Sequence, residues 1–188
     1  MIDTIGKRIQ AISPLDNEAI EKFLGSIEII ELPAKHLIFK EGRTAKNLYY
    51  LIKGAARSYY LKDGKEAVLW FAFEDDLLTS VSSFISQKRG FENIELLENS
   101  TLAAISHKEF NHLTKIYPSV NQLYRILLEQ YYIILAGQYQ EMHFFTAKEK
   151  YDNLIKNYPQ ILQRVSLGHI ASYLGITQES LSRIRAAK

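Results

Sequence analysis

The chain has 188 residues, of which 47% are hydrophobic, with 23 Lys and Arg against 21 Asp and Glu and no Cys. That size and apolar content predict one large or two small packed domains and exclude a disordered chain. The missing cysteine removes disulfides, thiolate nucleophiles and cysteine-ligated zinc or iron–sulfur clusters. No run approaches the roughly 20 apolar residues of a membrane span, and Met1 to Gln10 is too polar for the apolar core of a secretory signal. A cytoplasmic protein without a membrane partner is therefore expected.

In chain order, the opening segment reads as a helix with Ser13 as cap, Pro14 at its first position and Gly25 at its end. Leu15, Ala19, Ile20, Phe23 and Leu24 form its apolar side. From Ile27 the pattern changes to short runs of β type: IEIIEL, HLIFK, LYYLI, AARSYYL, EAVLWFA, FENIELLE and TLAAIS. Gly42 and Gly54 punctuate them, and Asp63-Gly64 between two strand-like runs predicts a hairpin. Many short strands joined by regular turns imply an antiparallel barrel or sandwich. Glu74, Asp75 and Asp76 read as a solvated turn.

Ser80, Ser82, Ser83 and Arg89 are, by type alone, the polar candidates for a ligand contact, with the aromatic Trp70 and Phe71 on an adjacent strand. The competing readings are helix caps for the serines, a solvated loop for Arg89 and core packing for Trp70. Ser106 to Glu109 has capping-box spacing and opens a helix through Ile116, which Pro118 closes by forcing Tyr117 from helical geometry. A long helix follows to about Phe144. Tyr124, Leu128, Tyr131, Leu135, Gln138 and Met142 recur at spacings of four and three, with Leu123, Leu127 and Ile134 on a neighbouring face. One stripe can meet its own barrel and the other a second copy; the alternative is burial within a monomer. Thr146 to Glu149 is a second capping box, marking a hinge, and Tyr158-Pro159 breaks the helix it starts.

The last stretch, LGHIASYLGITQESLSRIR, meets the packing rules of a helix-turn-helix. Ser166 caps the first helix, Ile170, Ala171 and Leu174 share one face, Gly175 makes the turn, Thr177 caps the second helix, and Leu181 with Ile184 form its apolar side. Thr177, Gln178, Glu179, Ser182, Arg183 and Arg185 then point outward as hydrogen-bonding groups suited to base edges and phosphates. Residues 143–188 carry a net charge of +4, whereas residues 1–142 carry −2. Such asymmetry suits a nucleic-acid module attached to a neutral one. An αα-hairpin used only as scaffold has the same apolar spacing.

IASYLGITQESLSRIR resembles the DNA-binding motif of the cyclic-AMP receptor protein and fumarate-nitrate regulator (Crp/Fnr) family, and most of all its short members from the Bacteroidetes group. The resemblance implies an α+β chain in three parts. Residues 1–117 would form a double-stranded β-helix, the β-roll of cyclic-nucleotide-binding domains, with turns at Gly42, Gly54 and Gly64. Residues 118–145 would be a dimerisation helix joined through Tyr124, Leu128, Tyr131, Leu135 and Met142. Residues 146–188 would be the DNA-binding domain, reading bases through Gln178, Glu179 and Arg183. Gln178 stands where the best-known member has Arg. The phosphate-holding Arg-Ser/Thr-Ala element is not reproduced near Arg89 to Glu92, and Asp75 and Asp76 would repel a phosphodiester, so cyclic AMP is not the expected effector. The chain stops three residues beyond Arg185, short of the family's two-stranded wing, so either this form works without a wing or its end is truncated.

His36, His107, His112, His143 and His169 have no metal-ligand spacing; His107 and His112 lie five apart rather than four. His169 is expected to be exposed at the start of the helix-turn-helix. With no phosphate-cradling glycine loop or nucleophile elbow, neither an enzyme nor a cofactor is expected. The reading is a homodimeric, sequence-specific transcriptional regulator, with double-stranded DNA, RNA polymerase and a small effector as partners. The alternative is a non-enzymatic ligand-binding or protein-interaction module whose helix-turn-helix is only a scaffold.

Overall fold

The computed structural model describes residues 2–186; Met1, Ala187 and Lys188, the outermost residues of the first and last expected segments, lie outside them. Two helices open the chain, α1 (Ile2–Ile12) and α2 (Asn17–Gly25). Eight strands follow: β1 (Glu28–Leu32), β2 (Leu37–Phe39), β3 (Asn47–Lys53), β4 (Ala56–Lys62), β5 (Lys65–Ala72), β6 (Leu77–Leu78), β7 (Asn93–Leu96) and β8 (Ser100–Ser106), with α3 (Val81–Ser86) between β6 and β7. The helices α4 (His107–Ile116), α5 (Pro118–Phe144), α6 (Ala147–Asn157), α7 (Ile161–Arg164), α8 (Leu167–Leu174) and α9 (Gln178–Ala186) complete the chain.

The strands pair antiparallel into two four-stranded sheets, ordered β1-β8-β3-β6 and β2-β7-β4-β5. Consecutive strands alternate between sheets for much of the chain, which is the topology of a roll. Asp63 and Gly64 both hold positive φ, +51° and +76°, as a two-residue hairpin turn of the primed kind requires. The expected hairpin therefore forms between β4 and β5. Leu51, Leu78, Leu96 and Leu102 are fully buried between the sheets. A second core joins the roll to the flanking helices through Ile5, Ile9, Phe23, Phe110, Leu113, Val120 and Leu123.

Two expectations need correction. Ser13 does not cap the second helix; it ends α1, its N–H donating to the Ile9 carbonyl at 2.9 Å, and its side chain is buried. Asp16 is the cap, its carboxylate accepting from the Ala19 N–H at 2.9 Å, so Pro14 lies in the connection. The helix α1 itself was not anticipated, because its buried Ile5 and Ile9 are spaced among polar residues. Further along, β6 has two residues, too few for an alternating pattern to register.

The caps of the later helices form where the sequence places them. The Ser106 hydroxyl accepts from the Glu109 N–H at 3.1 Å. Tyr117 is extended, so Pro118 starts α5 in a new direction. Thr146 and Glu149 complete a reciprocal capping box at α6.

Candidate nucleic-acid interface

The helix-turn-helix is built from α8 and α9. Ser166 caps α8 by accepting from the His169 N–H at 3.2 Å, and Gly175 ends it at φ +69°, a left-handed conformation that a side chain would strain. Thr177 accepts from the Ser180 N–H at 3.2 Å and starts α9. Ile170, Ala171 and Leu174 are buried on α8, and Leu181 is 0% exposed on α9. Burial of a leucine that size stabilises by about 1.5–3 kcal/mol, enough to fix the rotation of so short a helix. Consequently Thr177, Gln178, Glu179, Ser182, Arg183 and Arg185 are all exposed. At 3.6 residues per turn, the five of them within α9 cover roughly 160° of its circumference.

This unit does not hang free. Its core continues into the roll, where Phe71 and Phe73 pack with Tyr151, Leu154, Ile161, Ile170 and Leu174. Phe71 and Tyr173 have ring centroids 5.5 Å apart, Phe73 and Tyr158 5.2 Å. The Ser172 hydroxyl accepts from the Val68 N–H at 3.1 Å and donates to the Glu66 carbonyl at 2.8 Å, so α8 occupies the free edge of β5. Arg164 forks onto Glu74 at 2.7 and 2.8 Å and reaches Glu98 at 2.5 Å. Those bonds hold the Glu74 carboxyl down to about 2. Burial raises the Tyr173 hydroxyl to about 12.

The turn after β5 is therefore partnered rather than merely solvated. Asp75 pairs with Arg8 at 2.7 Å and accepts from the Tyr50 hydroxyl at 2.6 Å, while Asp76 accepts from the Phe73 N–H at 2.8 Å. His169 also departs from expectation. It is half-buried, its Nδ1 has no hydrogen-bond partner, and burial followed by the nearby Arg57 charge lowers its pKa. The reason is the docking of α8, which turns this face toward the roll.

Inside the roll, Arg57 is 4% exposed and already held by Glu95 at 2.6 Å and Glu66 at 2.6 Å. Glu92, 6% exposed, accepts from the buried Ser58 hydroxyl. The ligand candidates are dispersed. Ser83 is buried, accepting from the Ala45 N–H at 2.9 Å and donating to the Lys88 carbonyl. Ser82 is exposed on α3, Arg89 bridges to Thr44 along the backbone, and Trp70 packs against the core. None of the four lines the roll's cavity of about 200 Å³.

On α5, Val120 and Leu123 are buried against the roll, and Tyr124 packs edge-on to Phe110 at 5.3 Å. Leu128 is half-buried; Tyr131, Leu135 and Met142 are exposed. So are Tyr132 at 73%, Ile133, Ile134, Tyr139 and Phe144 at 77%, none of which the four-three spacing assigns to the partner-facing stripe, Ile134 falling on the neighbouring face. Single-chain burial therefore stops near the middle of this helix.

Comparison with known proteins places these features. The family model of the cyclic nucleotide-binding domain matches residues 29–117. The cAMP-activated global transcriptional regulator CRP of Pasteurella multocida is 28% identical over 109 residues, 57% of this chain and 52% of that protein. Its counterpart in Salmonella typhimurium is 27% identical over the same length. The chain spans about half the length of the curated relatives it matches. Among solved structures, the c-di-GMP responsive global regulator CLP of Xanthomonas campestris aligns with 92% of this chain and 91% of its own, at 19% identity and a TM-score of 0.68. FixK2 of Bradyrhizobium japonicum aligns with 86% of this chain and 83% of its own, at 20% identity and a TM-score of 0.71. Residues 29–117 form a cyclic nucleotide-binding-type domain, and the chain that carries it shares its fold with CLP and FixK2.

Proposed function

We propose that the chain is a homodimeric, sequence-specific DNA-binding regulator of transcription that answers to a small ligand or partner other than cyclic AMP. The observation that carries this reading is α9, whose apolar side is buried while Thr177, Gln178, Glu179, Ser182, Arg183 and Arg185 all face solvent. Glu179 can accept from cytosine and Arg183 can pair bidentately with guanine in a major groove. CLP and the CRP relatives carry regulator names, which supports the same reading.

The exposed apolar half of α5 supports self-association, since a helix apolar around so much of its girth is poorly solvated alone. A two-fold dimer would present two copies of α9 to an inverted repeat with half-sites about one helical turn apart. RNA polymerase is the further partner through which such a regulator would act, in the cytoplasm. Among the described residues no helix is long and apolar enough to cross a membrane. Cyclic AMP is disfavoured because Arg57, the roll's buried guanidinium, is neutralised by Glu66 and Glu95, and Glu92 adds a buried carboxylate. Catalysis has no part in this reading.

The docking of α8 on β5 favours a second reading, in which the helix-turn-helix is only a scaffold for the roll. One experiment separates the two. Purified protein is selected against a pool of random duplex DNA at two salt concentrations, beside Arg183→Ala. Enrichment of an inverted repeat that the variant loses supports the regulator. Failure to enrich any sequence at low salt, with cell extract present as well as absent, leaves the scaffold.

A further inference from the structure

A cavity of about 200 Å³ opens between the two sheets, at the end closed by the turn from β2 to β3. Its wall is mixed, with Phe39 and Ile94 buried beside the polar Asn47 and Thr79, whereas its rim carries Lys40, Arg43 and Lys46. All three cations are exposed, and among the described residues none lies within ion-pair distance of a carboxylate. Glu41 shares the turn but does not line the cavity.

The turn that carries them is tied down by backbone hydrogen bonds. Gly42 N–H donates to the Gly90 carbonyl and Gly90 N–H returns to the Arg43 carbonyl, each at 2.9 Å, while His107 N–H donates to the Lys46 carbonyl at 2.7 Å. Three like charges are thus carried at one opening within residues 1–142, a stretch that is net negative. Their mutual repulsion is relieved by an anion at the mouth, where charge-assisted hydrogen bonds are stronger than neutral ones. The apolar part of the wall, at Phe39 and Ile94, rewards a short hydrocarbon body behind that charge.

We infer that this cavity binds a small organic anion, a carboxylate or phosphate on a short apolar body, at a site separate from α9 and from Ser82, Ser83, Arg89 and Trp70. Its volume lies below the roughly 300–1,000 Å³ of ordinary ligand pockets, so the ligand is smaller than a nucleotide.

The test is calorimetric titration of the full chain with acetate, hexanoate, inorganic phosphate and butyl phosphate, with hexylammonium as the cationic counterpart. At least one tailed anion binds saturably and more tightly than its tail-less partner, by about fourfold for each methylene that is buried. The tighter of hexanoate and butyl phosphate identifies the head group, and hexylammonium does not bind. R43Q/K46Q weakens that binding about tenfold. K35Q/K53Q, which removes the same charge elsewhere on the surface, leaves it unchanged. Melting temperatures check that both variants fold. No saturable binding of either tailed anion, equal affinity with and without the tail, or equal losses in the two double variants would each overturn the assignment.

Discussion

At Arg183 the distinction between reading a base and holding a phosphate is measurable. Arg183→Ala is expected to cost about 1–3 kcal/mol on the preferred operator and relax preference at one base pair, scored by selection from random duplexes; a uniform loss across sequences would mark a phosphate contact. Glu74 gives a second test, in pH. Arg164 holds its carboxyl near about 2, against an ordinary 4.5, so the folded form favours the carboxylate. That contribution is complete above the ordinary value and disappears as pH falls toward about 2. Because the pair is partly exposed, it is worth roughly 1 kcal/mol after screening. Glu74→Gln should flatten the fall in melting temperature across that window. Arg164 is 90 residues from Glu74 and 66 from Glu98, and no local pattern in the chain announces such a pair. Ser106, Thr146 and Ser166 were legible because a cap and the N–H it receives lie three residues apart.

Among the elements, those whose pattern repeats over several residues were readable: the paired strands, the hairpin at Asp63-Gly64, and both helices of the helix-turn-helix. The docking of α8 onto β5 was not, since Ser172 reads locally as one polar residue on a helix. The same docking misled the placement of His169, whose burial comes from the roll and not from its neighbours in the chain. Its lowered pKa means that the undocked form takes up a proton more readily. Docking is therefore strongest above its ordinary value near 6.5 and weakens as pH falls below it. Protection factors of α8 amides, taken relative to the base-catalysed intrinsic rate at each pH, should fall between about pH 7.5 and about 5.5, and His169→Gln should remove most of that change. Leu181→Ala, which empties a fully buried site, is expected to destabilise the helix-turn-helix by about 2–5 kcal/mol in denaturant unfolding.

For the whole molecule, the proposed dimer is the one whose interface is the outer half of α5. Ile133→Asp combined with Leu135→Asp should convert the dimer to monomer in sedimentation, with the circular dichroism of the roll retained, because both side chains are exposed in the single chain. A dimer that survives this change would place its interface elsewhere. The roll and helices were legible from periodicity, but the way the two ends of the chain share a core depends on contacts such as Phe71 with Tyr173, which lie 102 positions apart in the numbering. The Ser172 bridge has a further consequence. One hydroxyl fills both the donor and the acceptor that β5 leaves at the margin of its sheet. An unpaired margin of this kind is a template on which another chain's strand can add. Whatever lifts the helix-turn-helix away uncovers that template and brings a tendency to aggregate, and α8 acts as the guard against it.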